Sequence, residues 1–409
     1  MRLMLVGLTA LLCQAQQGVL SPDLLLLAKV KNRMAANLSR LPNYTCVQTV
    51  ERFHRRSTTR KFDVLDTVRL EVALVEGKEL FGWPGGDRIA ESEISNLVKG
   101  TIGNGDFALL AKSIFLTSSA TFQYAGDSFL GARAAIKFDY KVPLFTSGYH
   151  LKVSPREAVV PYHGSFWVEP DTFDLLRLEL TVDDLPSYLG LAAATDSMEY
   201  ARVEIGGSKF LLPQSSELSM IELNGAESRN QTRFGGCRQF TGESVLSFAD
   251  SSASPEPAPK PAVKKIALPQ DMMLELSLET PIDSDTSAVG DSIKARLRHN
   301  LRVHHALLIP KGAELSAHIA RLERSNRTYI LEIAPTAFDF DGGHADLGGR
   351  DNLVWMPFSV REFRPSLNGH GYDHSFTVST GPITIPTDHL KLGGGFRLNL
   401  HSRLVQSEQ

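Results

Sequence analysis

The chain has 409 residues, of which 22% are charged and 42% hydrophobic, enough for two or three separate cores. A formal net charge of −3 argues against a nucleic-acid partner, because such proteins concentrate positive charge on one face. No run approaches the ~18 apolar residues that cross a bilayer as a helix, so no transmembrane helix is expected once a leader is removed.

Residues 1–15 read as an export signal, with Met1-Arg2 supplying charge, Leu3–Leu12 a short apolar core and Cys13-Gln14-Ala15 the approach to a cleavage site. Lipidation of Cys13 is the alternative, although Leu11-Leu12 puts a bulky residue where a lipoprotein signal wants a small one. Two cysteines then remain, Cys46 and Cys237, and an even count in an oxidising compartment points to one disulfide. Two inert buried thiols are the other reading.

Ser21-Pro22-Asp23 is a helix start, and Leu24, Leu27, Val30, Met34 and Leu38 follow at helical spacing, giving an apolar face that needs a sheet beneath it. The segment Asn43–Phe53 is extended and carries Cys46. A basic cluster follows it, Arg52 to Arg56 with Arg60-Lys61, in what reads as a solvated hairpin loop; attraction to anionic head groups is the sharper account. Val68, Leu70, Val72 and Leu74 alternate with polar residues in the cleanest strand of the chain. Between Glu93 and Phe115 the period becomes helical, and Gly103-Asn104-Gly105 divides the stretch into two short helices.

From Thr121 to Phe248 strand follows strand, with Ala134, Ile136, Phe138 and Tyr140 alternating. Trp167 precedes the turn Glu169-Pro170-Asp171-Thr172, and Leu176, Leu178 and Leu180 alternate beyond it. Gly206-Gly207 and Asn224-Gly225 are tight turns. The expected first domain, residues 21–249, is α+β: a curved antiparallel half-barrel with covering helices, whose apolar side is lined by Val68, Leu70, Val72, Leu74, Trp167, Leu176 and Leu178. Residues 250–265 are a Pro-rich linker, and residues 266–403 an all-β barrel or sandwich. An outer-membrane barrel fits less well, because helices and a proline segment interrupt the strands and no aromatic girdles recur.

At Gly164–Leu180, GSFWVEPDTFDLLRLEL, the chain resembles the periplasmic lipoprotein-carrier (outer-membrane lipoprotein-sorting) half-barrel family. That resemblance implies an unclosed barrel with an apolar hollow for acyl chains, in the periplasm or at the outer membrane of a Gram-negative bacterium. The second domain resembles, over Ile266–Ile319, the C-terminal β-barrel of conjugation and type IV secretion scaffolds, which implies an envelope protein partner.

No catalytic residue, metal site or cofactor is expected. Gly290-Asp291-Ser292-Ile293 and Asp341-Gly342-Gly343-His344 match short blocks of GDSL-type hydrolases, but in all-β surroundings they read as turns. Asp339, Asp341, His344 and Asp346 depart from calcium-loop spacing; His370 and His374 sit in a loop; His304-His305 reads as a strand pair. The leading expectation is an exported protein that binds lipid or an acyl chain. The alternative is a non-catalytic envelope scaffold with its C-terminal domain as docking module.

Overall fold

Period-two alternation carries most of this chain into strands, and the computed structural model shows how they pair. It describes residues 21–404 except 87–88, 90–92, 104–106, 118, 154, 241–271, 304, 342, 348–352, 362–376 and 381. The expected leader, the Pro-rich segment 250–265 and the loop with His370 and His374 lie outside the described residues.

Helix α1 (Pro22–Ser39) starts where the Ser21 hydroxyl accepts from the Leu24 amide at 3.4 Å and Pro22 takes the first turn. Twelve strands follow: β1 (Tyr44–Arg55), β2 (Asp63–Val75), β3 (Lys78–Gly82), β4 (Thr121–Leu130), β5 (Arg133–Val142), β6 (His150–Val153), β7 (Arg156–Val159), β8 (Tyr162–Val168), β9 (Leu175–Val182), β10 (Leu191–Ile205), β11 (Ser208–Glu222) and β12 (Glu227–Gln239). Ten form one sheet in the order β3-β2-β1-β12-β11-β10-β9-β8-β5-β4, an open, curved half-barrel with β3 and β4 at its edges. The hairpin β6–β7 stands apart from it. In place of two helices between Glu93 and Phe115, the structure has a 3₁₀ turn at Ile94–Asn96, then a short helix α2 (Leu109–Lys112) running into a π turn at Ser113–Thr117.

The first strand of the sheet closes on the last. β1 pairs with β12, and a register shift between Thr45 and Val47 sets Cys46 beside Cys237; the two are joined in a disulfide with Cα atoms 4.1 Å apart. The bridge spans 191 residues of chain, enough on the loop-entropy account to stabilise the fold by ~5 kcal/mol.

The second unit is all-β: β13 (Met273–Leu278), β14 (Ile282–Asp283), β15 (Ser292–Leu297), β16 (Leu301–Val303), β17 (Ala306–Ile309), β18 (Glu314–Ser325), β19 (Thr328–Phe340), β20 (Gly343–Asp346), β21 (Leu353–Arg361), β22 (Thr377–Thr380), β23 (Ile383–Pro386), β24 (Lys391–Leu392) and β25 (Arg397–Leu404). Its main sheet runs β20-β19-β18-β15-β13-β25-β21-β22, with β23 on β19. Leu274, Leu276, Leu315, Leu331, Phe338 and Leu400 are fully buried in its core. His305 lies in the turn between β16 and β17 with φ 67° and not in a strand, as a strand pair would require; His304 lies outside the described residues. A polar pair at a tight turn satisfies its backbone locally, which outweighs strand propensity there.

The two units touch through β2. Strand β3 pairs only with residues 71–75 of β2, leaving the backbone of 67–69 open. Val289 fills that gap: Arg69 donates to the Val289 carbonyl at 2.7 Å and Val289 donates to Thr67 at 2.8 Å. Gly290, with φ +96°, follows at once, and a Cβ there would lie 2.2 Å from the Arg69 carbonyl oxygen. Only glycine permits that approach. Arg69 pairs with Asp291, the Ser292 hydroxyl donates to the Pro84 carbonyl at 2.9 Å, and the Trp83 and His318 rings stack with centroids 4.7 Å apart.

Candidate functional site

The sequence-expected lining residues separate into three groups. Val68, Leu70, Val72 and Leu74 are buried on the covered face of β2, beneath Ile94, Val98 and Phe107, in a core continuous with that of the second unit. Leu178 lies in the other large core, beneath α1 and α2. Trp167 and Leu176 form a small outer cluster with Ala135. Trp167 faces out by alternation between the inward Phe166 and Val168, and a β-bulge turns Leu176 the same way: Trp167 pairs with Arg177 but Val168 with Leu175, leaving Leu176 as the extra residue. These seven residues therefore do not share one hollow.

The helix-covered half of the sheet is the candidate site. Its floor carries Phe138 and Tyr140 from β5, Phe166 from β8, Leu178 and Leu180 from β9 and Met198 from β10. Phe115 of the π turn meets Phe166 edge-on, with centroids 5.0 Å apart, and Phe138 stacks on Phe166 at 5.1 Å. From α1 only Val30 and Met34 are fully buried. The space between helix and sheet is thus occupied by the protein's own side chains. Alternation at Ile136, Phe138 and Tyr140 was the sequence signal for this floor; the contribution of Phe115 and Met34 depends on how the helices fold back, which local periodicity does not encode.

Polar groups are few on this floor. Burial pushes the Tyr140 hydroxyl well above its ordinary pKa, with the neighbouring Tyr162 and Asp196 acting in the same direction. Tyr140 donates to the Glu179 carbonyl at 2.8 Å across Gly164, where a Cβ would sit 1.8 Å from that carbonyl oxygen. Asp196 is a buried carboxylate on β10, in register with Leu180 and Leu218.

The lid is tied at one end. Asp174, placed by the turn in which Phe173 takes a left-handed conformation (φ 57°), accepts from Arg33 Nε at 3.0 Å and from Asn37 Nδ2 at 3.3 Å. Arg202 on β10 grips the same carboxylate with two bonds of 2.6 and 2.7 Å. Burial opposes ionisation of Asp174, but the bonds from Arg202, Arg33 and Asn37 prevail and hold its pKa below the ordinary value. A cleft of about 420 Å³ opens beside this clamp, lined by Asp174, Arg202, Tyr200, Leu211 and Glu169 among others. At the other end of α1, Leu24 and Leu25 are 52% and 47% exposed.

The remaining candidates have structural employment. Asp291 is held by Arg69 and caps the Ala288 amide, and Ser292 is engaged with Pro84, so the Gly-Asp-Ser block belongs to the junction of the units, beside a cleft of about 540 Å³. His344 and Asp339 pair at 2.7 Å across the β19–β20 turn. Asp283, Asp285 and His389 cluster within metal-ligand distance, a grouping the sequence did not suggest because His389 comes from more than a hundred residues away. There His389 Nε2 already bonds Asp283 at 2.7 Å and Lys391 Nζ lies 3.6 Å from the same carboxylate, an ion-pair network complete in itself.

No family model matches this chain, and no curated protein matches it. Solved structures similar to it include two at 12% identity. One, described as an outer membrane lipoprotein-sorting protein domain from Vibrio parahaemolyticus, is 12% identical with a TM-score of 0.32, over 53% of this chain and 93% of that one. The other, a DUF1329 family protein from Desulfovibrio piger, is 12% identical with a TM-score of 0.28, over 53% of this chain and 94% of that one. The resemblance of residues 266–319 to conjugation and secretion scaffolds is without support.

Proposed function

We propose that this is an exported, envelope-located protein whose first unit takes up a lipid or acyl chain between α1 and the sheet. The observation that carries the reading is the mismatch between floor and lid. The floor is a continuous apolar and aromatic surface across β5, β8, β9 and β10, while α1 covers it with two fully buried side chains, with Leu26, Leu27 and Leu38 only partly buried beside them, and a polar clamp at one end. Tilting α1 about that clamp would open the floor, and an acyl chain would replace the contacts of Val30 and Met34 at little net cost, since one apolar contact is exchanged for another.

Native mass spectrometry of the gently purified full chain, with solvent extraction, tests this. The expected result is a copurifying lipid, or uptake of added fatty acid or phospholipid. A ligand-free protein indifferent to both classes overturns the reading. A second reading, an envelope scaffold, draws on the backbone pairing of Val289 with β2, which joins the units edge to edge. Cross-linking separates the two, because a scaffold co-purifies with partners and a carrier does not.

A further inference from the structure

Strand register decides which loops share an end of the sheet. Val142 pairs with Tyr162, Tyr162 with Val182, Leu191 with Glu222, and Glu227 with both Ile221 and Arg55. The loops at 56–62, 183–190 and 223–226, and the connection 143–161, therefore open from one rim. Leu144 and Phe145, Tyr188 and Leu223 stand out along it, Phe145 being 84% and Leu223 66% exposed. Side chains this open add little burial to the fold, and several of them gathered on one rim form a candidate contact surface.

The rim is continuous. Gly225 approaches Ser57 of the basic loop, a Cβ at Gly225 lying 3.8 Å from that of Ser57. Leu223 donates its amide to the Gly190 carbonyl at 2.9 Å, Arg156 holds the Tyr188 carbonyl, and Ser147 bonds the Val160 carbonyl at 2.6 Å beside Leu144-Phe145. At one end of this line lies the basic loop of Arg56, Arg60 and Lys61. The rim's acids are mostly engaged: Asp63 faces Arg56 at 3.9 Å, Glu227 holds Arg55 and Arg229, Asp183 holds His163, and Glu157 holds His150. Asp184 is exposed, and Glu222 accepts from Asn224. Among the described residues Arg60 and Lys61 have no carboxylate within salt-bridge reach.

We propose that this rim docks on a membrane surface bearing anionic headgroups. Separate apolar tips on neighbouring loops suit the acyl boundary of a bilayer better than the flat, continuous patch of a protein interface, and the unpaired Arg60 and Lys61 match a phosphate layer. The inference does not depend on any ligand in the hollow.

Co-sedimentation of the full chain with phosphatidylcholine vesicles, with and without phosphatidylglycerol, tests it. Binding is expected to the anionic vesicles only, to weaken with salt, and to drop at least tenfold in Arg60→Glu/Lys61→Glu and in Leu144→Ser/Phe145→Ser/Leu223→Ser. These positions are exposed, and circular dichroism checks that both variants stay folded. Phe145→Trp should further show quenching by brominated acyl chains. Absence of binding to anionic vesicles, equal binding to neutral ones, or binding indifferent to either set of substitutions each overturns the proposal.

Discussion

Arg52 is the only buried basic side chain among the described residues. Its guanidinium lies on the covered face, bonded to both oxygens of Asp66 at 2.5 and 2.7 Å and to the Lys99 carbonyl at 2.5 Å, so it joins two strands to the stretch that covers them. Arg52→Ala is expected to cost about 3–5 kcal/mol, because it leaves a buried carboxylate unpaired; chemical denaturation measures it. Cys46 and Cys237 make a second expectation at this scale. The chain without residues 1–15, denatured but unreduced, should titrate no free thiol, and its reduction should lower the melting temperature. The cysteine count was legible in the sequence, as was the strand through Val68 and Leu74. Arg52 was legible only as one of a row of bases, since nothing in a single strand tells which of them turns inward.

At the scale of the element, α1 was readable almost to the residue because its start is chemical: a hydroxyl cap, a proline and an acid. The clamp that holds it was not, since Arg33, Asn37, Asp174 and Arg202 come from three distant elements. Asp174→Asn should weaken the clamp, raise hydrogen exchange across 22–39 and speed exchange of any bound acyl chain, with little change in the exchange of β8 or β9. The folded pKa of Asp174 is lowered, so its contribution is complete above the ordinary carboxylate pKa and is lost as pH falls through the lower folded value. The bulge at Leu176 likewise escaped a reading by alternation, because a bulge is set by the partner strand as much as by its own residues.

For the whole molecule, the decisive region is the junction at β2. A proline-rich stretch suggests two units acting separately, but the sequence could not reveal that Val289 returns to pair with β2. Gly290→Ala forces a Cβ against the Arg69 carbonyl and the Trp83 ring and is expected to loosen the units from each other, read as faster proteolysis between them and a changed scattering profile. His318 adds a pH dependence. Burial lowers its pKa to about 4, so the unfolded chain takes up a proton near pH 6.5 while the folded chain resists. Stability should fall, by at most about 1.4 kcal/mol per pH unit, as pH drops from 6.5 towards 4, and stay level above that window. Urea midpoints for the native chain and His318→Phe check this; the variant should show a flatter slope, with the Arg69–Asp291 pair still in place.

The stretch 67–69 of β2, which β3 leaves open, has a consequence for self-association. An open strand edge is a template onto which another chain can add, and β3 stops too early to shield this one. Val289 acts as its cover, so the second unit protects the first from edge-to-edge aggregation. A chain ending at residue 240 is therefore expected to self-associate on concentration, with β2 as the seam.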